Sequence, residues 1–340
     1  MPERNGIAGI GSWIMDHIRL VNIWPEEQQL SDILGEEFSG GGMAHNLVGD
    51  IARFDLGIPI EAIGFLGDDE DGERILVQCK ELGVDTTYLR TTDKAPTSYT
   101  EVMTVQSTGR RTFFHSRGAN VLIDYESIPF DGIKSKIVAL GYLLLMDAAD
   151  APDPEYGTVA AKILHSLQQK GIKTCIDTVS ENSNRLALIV PPSLKYCNYV
   201  IVNEFEAGKI TGYDILNGDS LDKDALRASA KQLQAYGNAE LVVIHMHIGA
   251  YALTQDGKEL FQPSFELPDD YIQGGAGAGD AFFNGTLVGL HEGWSLEDTL
   301  RFATSAATAC LSHPTCTEGI RPHQECLELL EQFPFRNISF

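Results

Sequence analysis

The sequence predicts an α/β fold, a doubly wound and mainly parallel sheet with helices on both faces, and three observations carry that expectation. Strand-like and helix-like segments alternate along most of the chain. Ile137 to Leu145 is an almost unbroken apolar run, the pattern of a strand covered on both faces. Tyr271 to Leu290 packs six glycines, one aspartate and an apolar segment into twenty residues, which reads as a glycine loop feeding a buried helix. No linker or repeat divides the 340 residues, so residues 1–340 are expected to form a single domain.

Ile7 to Ile14 reads as the first strand, and Asp16 falls just past its C-terminal end, where open α/β sheets place their ligands. Residues 18–25 look like an excursion from the main sheet. Gly40-Gly41-Gly42 opens a helix with Ala44, Leu47, Val48, Ile51 and Phe54 at helical spacing, stopped by Gly57. A strand over Glu61 to Leu66 runs into Gly67-Asp68-Asp69 and a helix to Leu82. Ser98 to Val105 and Arg111 to His115 alternate as a hairpin about Ser107-Thr108-Gly109. After Ile137 to Leu145 come a helix over Glu155 to Gln169, a strand over Lys173 to Asp177, a strand over Tyr199 to Val202 and another over Leu241 to His245. Ser295 to Leu311 is an alanine-rich helix.

The chemistry concentrates in the glycine loop. Gly274, Gly275, Gly277 and Gly279 leave backbone amides open to a ligand, and the helix that follows starts with unpaired amides at its positive end, so the loop suits an anion such as phosphate. A carboxylate at such a place, Asp280, has a use if it handles a proton there. It would orient an attacking hydroxyl and accept its proton while the Gly277, Ala278 and Gly279 amides stabilise the moving phosphoryl group. The plainer reading, a glycine-rich turn with Asp280 as a helix cap, stays open on spacing alone. The loop lacks the lysine of a Walker motif, and Gly9-Ile10-Gly11-Ser12-Trp13-Ile14 lacks the third glycine of a dinucleotide fingerprint.

A formal charge of −23 argues against a nucleic-acid or anionic-membrane surface, and 43% hydrophobic residues suffice for a large core. The N-terminus runs straight into a strand and no apolar run reaches membrane-spanning length, so a cytoplasmic enzyme is expected. Six cysteines without a Cys-x-x-Cys pair read as reduced thiols, and neither His313 with Cys316 nor His245 with His247 completes a metal site.

Gly277-Ala278-Gly279-Asp280, with Ala281-Phe282 and Asn284-Gly285 after it, resembles the second signature of the ribokinase-like, or PfkB, carbohydrate kinases. Gly41-Gly42-Met43-Ala44-His45-Asn46 and Gly67-Asp68-Asp69-Glu70-Asp71-Gly72 resemble the first, and Gly118-Ala119-Asn120 and Asn203-Glu204-Phe205-Glu206 match shorter family segments. The resemblance implies a ribokinase-like fold with a small β lid formed by residues about 17–35 and 95–118. It implies Asp280 as catalytic base, and Asp16, Gly42 and Asn46 on the hydroxyls of a sugar. It places Asn203 and Glu206 in the magnesium and phosphate environment, Glu206 through water, His245 and Gly249 beside the phosphates of ATP, and Cys316 to Gly319 around adenine. It leaves a homodimer through the lid open.

The chain departs from the family at several positions. Gly274-Gly275 stand where an Asp-Thr pair helps many members bind a monovalent cation, which leaves that cation open. Ile14 replaces an asparagine of ribokinases themselves, Asp177-Thr178-Val179 replaces Asp-Pro-Asn, and His245-Met246-His247-Ile248 replaces the usual phosphate-lining segment. Two other readings remain. One is a nucleoside kinase with Trp13, Trp24 or Phe114 as base platform; the other is a sugar-binding regulatory protein that has lost turnover. Arg110, Arg111 and Arg117 are either solvated lid charges or, pointing inward, ligands of a carboxylated or phosphorylated sugar.

Overall fold

The computed structural model describes residues 4–268 and 270–340. In chain order it contains β1 (Ile7–Gly11), β2 (Ile14–Val21), β3 (Ile33–Gly41), α1 (Met43–Arg53), β4 (Ile60–Gly67), α2 (Glu70–Glu81), β5 (Asp85–Thr92), β6 (Ser98–Val105), β7 (Arg111–Ser116) and β8 (Ile137–Leu143). The second half adds α3 (Val159–Gln169), β9 (Lys173–Thr178), α4 (Arg185–Leu194), β10 (Tyr199–Asn203), α5 (Glu204–Thr211) and α6 (Lys223–Gly237). It ends with β11 (Leu241–Met246), β12 (Gly249–Thr254), β13 (Glu259–Pro263), α7 (Ala278–Glu292) and α8 (Leu296–Leu311), followed by short helical turns.

Nine strands make one sheet in the order β13-β12-β11-β10-β9-β8-β1-β4-β5. The seven from β11 to β5 run parallel, and β12 and β13 add an antiparallel edge. Alternate residues of each strand face opposite layers. Ile137 and Ala139 join the side carrying α1, α2, α7 and α8, whereas Val138 and Leu140 join the side carrying α3 to α6. On the first side Phe54 and Phe302 meet edge to face at 4.8 Å. Truncating either ring to alanine should cost about 3–5 kcal/mol. The chain builds outward from β1 to β4 and β5, then reverses and builds from β8 to β11. The crevice where a doubly wound sheet holds its ligand therefore opens between the ends of β1 and β8.

The predicted first strand is two strands. Main-sheet pairing ends at Gly11, and the chain swings out at Ser12-Trp13 to start a second sheet at Ile14. Asn120 holds this crossing, because its Oδ1 accepts from the Trp13 amide at 3.1 Å. The second sheet is the lid, four strands in the order β3-β2-β6-β7. The helix expected from Glu155 begins instead at Val159, since Thr158 caps it and residues 152–153 and 157–158 first form a small antiparallel bridge.

Asp69 ties the lid to the core. Its carboxylate caps α2 through Gly72 N at 2.9 Å and also accepts from the Thr97 amide at 2.7 Å and the Thr97 hydroxyl at 2.6 Å, immediately before β6. These three hydrogen bonds pull its pKa below the ordinary carboxylate value against a desolvation that pushes it up. On the lid, His17 bridges Asp71 of α2 at 2.8 Å and Glu101 at 3.1 Å, and the Arg74 guanidinium lies 4.4 Å from the centre of the Phe38 ring.

Candidate active site

A cavity of about 400 Å³ lies at the crevice, roofed by the inner face of the lid. Its floor is the start of α7. Gly277 is the residue before the helix, with φ of 83°, and a Cβ there would lie 2.4 Å from the Cys316 carbonyl oxygen, so only glycine makes this turn. Ala281 is the first residue whose amide bonds back, to the Gly277 carbonyl at 2.8 Å. The amides ahead of it are unpaired first-turn donors at the positive helix end.

Asp280 stands on that first turn but does not act as a cap, because Gly277 makes no side-chain cap and the carboxylate points across the crevice. Its Oδ2 accepts from Asn46 Nδ2 at 2.8 Å. The Tyr142 hydroxyl lies 2.8 Å from Oδ1 and 3.0 Å from Oδ2. Burial raises the Asp280 pKa, and the hydrogen bonds from Tyr142, Asn46 and Asp177 oppose that rise. Burial and the neighbouring charges of Asp280 and Glu206 push Asp177 well above the carboxylate range, so Asp177 and Asp280 titrate as one coupled pair.

Asp16 faces the same cavity from β2, its carboxyl raised to about 6 by burial and eased by a hydrogen bond from Thr100. A Cβ on Gly41 would come within 2.6 Å of Asp16 Oδ2, so the glycine run of β3 makes room for this carboxylate. Gly42 lines the cavity with φ of 83° and starts α1, which presents Asn46 on its first turns. Asn46 is buried, and its Oδ1 has no partner within the protein. On the far side Glu206 accepts from Ser180 Oγ at 2.8 Å and from the Asn203 amide at 3.2 Å, and burial lifts its pKa to about 7. His245, lowered to about 4 by burial, lies beside Phe282 with ring centres 5.1 Å apart.

Asp16, Gly42, Asn46, Asn203, Glu206, His245, Gly277, Gly279 and Asp280 thus line one cavity, although they come from five separate parts of the chain. Ala278 is the first residue of α7. Gly249 does not line it and pairs with Met246 and Pro263 at the sheet edge. Tyr142, Thr100 and His115 were missed as site residues. Tyr142 ends an apolar strand, and the one signal it offered was a hydroxyl at that strand's C-terminal end. Trp13 is fully buried with its indole N–H on the Ile63 carbonyl at 3.0 Å, and Phe114 stacks on Trp24 away from the cavity, so neither forms a wall for a base. The six-membered aromatic rings that do line it are Phe113, Tyr142 and Phe283.

The family model for pfkB family carbohydrate kinases matches residues 4–323. The 5-dehydro-2-deoxygluconokinase of Clostridium perfringens is 25% identical over 303 residues, covering 86% of this chain and 84% of that protein. A structure of Arabidopsis thaliana ribokinase complexed with ribose and ATP has a TM-score of 0.78 at 21% identity, over 96% of this chain and 99% of that one. Giardia lamblia ribokinase gives 0.79 at 19% identity, over 97% and 99%. The fold is the ribokinase fold, with its large, mostly parallel sheet and small separate sheet. The chain belongs to the pfkB family of carbohydrate kinases and is a phosphotransferase with an alcohol group as acceptor.

Proposed function

We propose that the protein transfers the γ-phosphate of magnesium-ATP to a hydroxyl of a small carbohydrate, with Asp280 as the base. The observation that carries this reading is the place of Asp280, a carboxyl group beside the open amides of α7 and in one cavity with Asp16 and Asn46. Asp16 and Asn46 hold the sugar's hydroxyls, and Asp280 takes the proton of the one that attacks. The amides of Gly277, Ala278 and Gly279 receive the charge that develops on the phosphoryl oxygens. Glu206, Asp177 and the Asn203 side chain offer hard oxygen ligands, which suit magnesium with its waters retained; Glu206 would hold it through water. Bound magnesium would supply positive charge for the phosphates of ATP. His245 contributes a neutral imidazole to the nucleotide side, and Gly249, outside the cavity wall, is assigned to the same side on sequence alone.

The lid is also proposed as the contact between two subunits. Ile23, Trp24, Leu30, Ile33, Leu34 and Phe114 are exposed large apolar side chains on or beside it.

The kinase reading is tested by ADP release from magnesium-ATP and a panel of sugars, with wild type and Asp280→Asn compared. The variant should fold and lose about 100-fold or more in turnover. Turnover within a few-fold of wild type in the variant would remove Asp280 from the role of base.

A further inference from the structure

Beyond the end of β8 the chain turns through Tyr142, Leu143, Leu144 and Leu145, closed by a hydrogen bond from the Leu145 amide to the Tyr142 carbonyl at 3.3 Å. Leu144 stands third in this turn with φ of 79°, a conformation in which glycine is usual and a leucine is strained. Such strain persists only where the surroundings over-determine it. Part of the hold is packing, because the Leu144 side chain is fully buried on the α3 to α6 side of the sheet.

The rest of the hold is polar. The Leu144 amide donates to Asp150 Oδ1 at 3.1 Å, and the Leu144 carbonyl accepts from Arg185 Nη2 at 3.1 Å. Asp150 ends the short helical turn Asp147–Asp150, and Arg185 is the first residue of α4, so two separate segments grip both backbone polar groups of one residue. Arg185 Nη2 also lies 3.9 Å from Asp150 Oδ2, an oxygen with no hydrogen-bond partner, and Glu181 Oε2 accepts from Arg185 Nη1 at 3.2 Å. Burial lifts the Asp150 carboxyl to about 6, against the Leu144 amide and the Arg185 charge. Protonated or not, it keeps an oxygen for the amide. Neither Asp150 nor Arg185 lines the cavity.

The turn carries two groups of the site. Tyr142, two residues before Leu144, has its hydroxyl 2.8 Å from Asp280 Oδ1, and Leu145, one residue after, is part of the cavity wall. A negative φ at Leu144 would redirect the chain between them, so both side chains depend on this one torsion.

We propose that Asp150 and Arg185 are positioning residues for phosphoryl transfer, which clamp Leu144 in its left-handed conformation and so keep the Tyr142 hydroxyl on Asp280. This rests on the reading of Asp280 as base and adds to it two residues from outside the cavity.

The test reads kcat against pH, by ADP release, for Asp150→Ala, Asp150→Asn, Arg185→Met, Tyr142→Phe and the double variant Asp150→Ala with Tyr142→Phe. Asp150→Ala should lower kcat by about 3–10-fold and raise the acid limb of the profile, as for one hydrogen bond lost from the base, with the ATP KM unchanged. In the Tyr142→Phe background the same change should add nothing to the limb, because the hydroxyl it positions is gone. Asp150→Asn, whose amide oxygen still accepts from Leu144, should keep the wild-type limb. Arg185→Met, at a half-buried position, should move the limb in the same direction as Asp150→Ala. If Asp150→Ala does not fold, Arg185→Met alone and with Tyr142→Phe carries the same comparison. A wild-type limb in the folded clamp variants, an equal shift with and without the Tyr142 hydroxyl, or an Asn variant as impaired as Ala overturns the proposal. A raised ATP KM with a wild-type limb also counts against it, since Arg185 would then serve the nucleotide side through Glu181. Should Asp280→Asn turn over like wild type, the base reading fails instead. The clamp is then decided by a crystal structure of Asp150→Ala, in which a Tyr142 hydroxyl still within about 3.2 Å of Asp280 overturns it.

Discussion

Tyr142 illustrates how much of the base's behaviour comes from neighbours. Its hydroxyl bonds to the Asp280 carboxylate, and its own pKa is pushed well above the phenol value by burial and by the charge of Asp280, so it stays a donor through the physiological range. A donor to the charged form makes Asp280 less basic and fixes its plane. Replacing Tyr142 with phenylalanine should therefore raise the acid limb of the kcat profile and reduce kcat by about 3–10-fold. Asp16, Asp50 and Asp177 also lie near Asp280 and titrate in the same field. The decisive reading is thus the difference between Tyr142→Phe and wild type, and superimposable profiles would show that the phenol does not tune the base.

Among the elements, the α7 entry and the lid hinge carry the most consequence. Gly277→Ala must place a Cβ against the Cys316 carbonyl and hold a positive φ, which costs on the order of 1–3 kcal/mol and turns the first amides away from the cavity. Lower thermal stability with a loss of ATP turnover larger than the loss of sugar affinity is expected; wild-type turnover would exclude the amides from phosphoryl transfer. At the hinge, Asp69→Ala removes three hydrogen bonds that join α2 to the start of β6. Hydrogen exchange should quicken in β6 and β7 while the main sheet stays protected. This motif was legible in the sequence as Gly67 to Gly72, but its spacing could not say that Asp69 serves the lid rather than the chemistry.

For the whole molecule, the site sets a condition on pH. The folded carboxyl of Asp16 sits near 6, above its ordinary value of 3.8. A raised acid costs the folded protein stability as pH climbs from about 4 through 6, so Asp16→Asn should be stabilising at pH 7, by on the order of 1 kcal/mol because cavity water still reaches the group. Function runs the other way. Protonation below about pH 6 takes an acceptor from the sugar, and the sugar KM should rise as pH falls through that value. A flat KM between pH 5 and 7.5 would count against Asp16 as a sugar ligand. The lid proposal is also read at this scale. Trp24→Ser with Phe114→Ser breaks a stacked pair whose centres are 6.2 Å apart, and light scattering should then report a smaller species than wild type.

What the sequence determined by itself is what local pattern encodes. Apolar runs and their periods placed the parallel sheet and its helices, because a strand buried on both faces and a helix buried on one leave different spacings. The Gly277 to Asp280 turn announced its chemistry for a similar reason, since glycine at such a junction answers a steric demand that can be read one residue at a time. Tertiary structure alone decided which distant groups meet. Nothing near Ile137 to Leu145 says that Tyr142 reaches Asp280, or near Ser98 that Thr100 meets His115. Those contacts exist because strand order reverses between β1 and β8 and the lid folds back over the gap. The protonation of Asp177, Asp280 and Glu206 follows from that assembly too, because desolvation and like charge at close range are properties of the packed site and not of the residue.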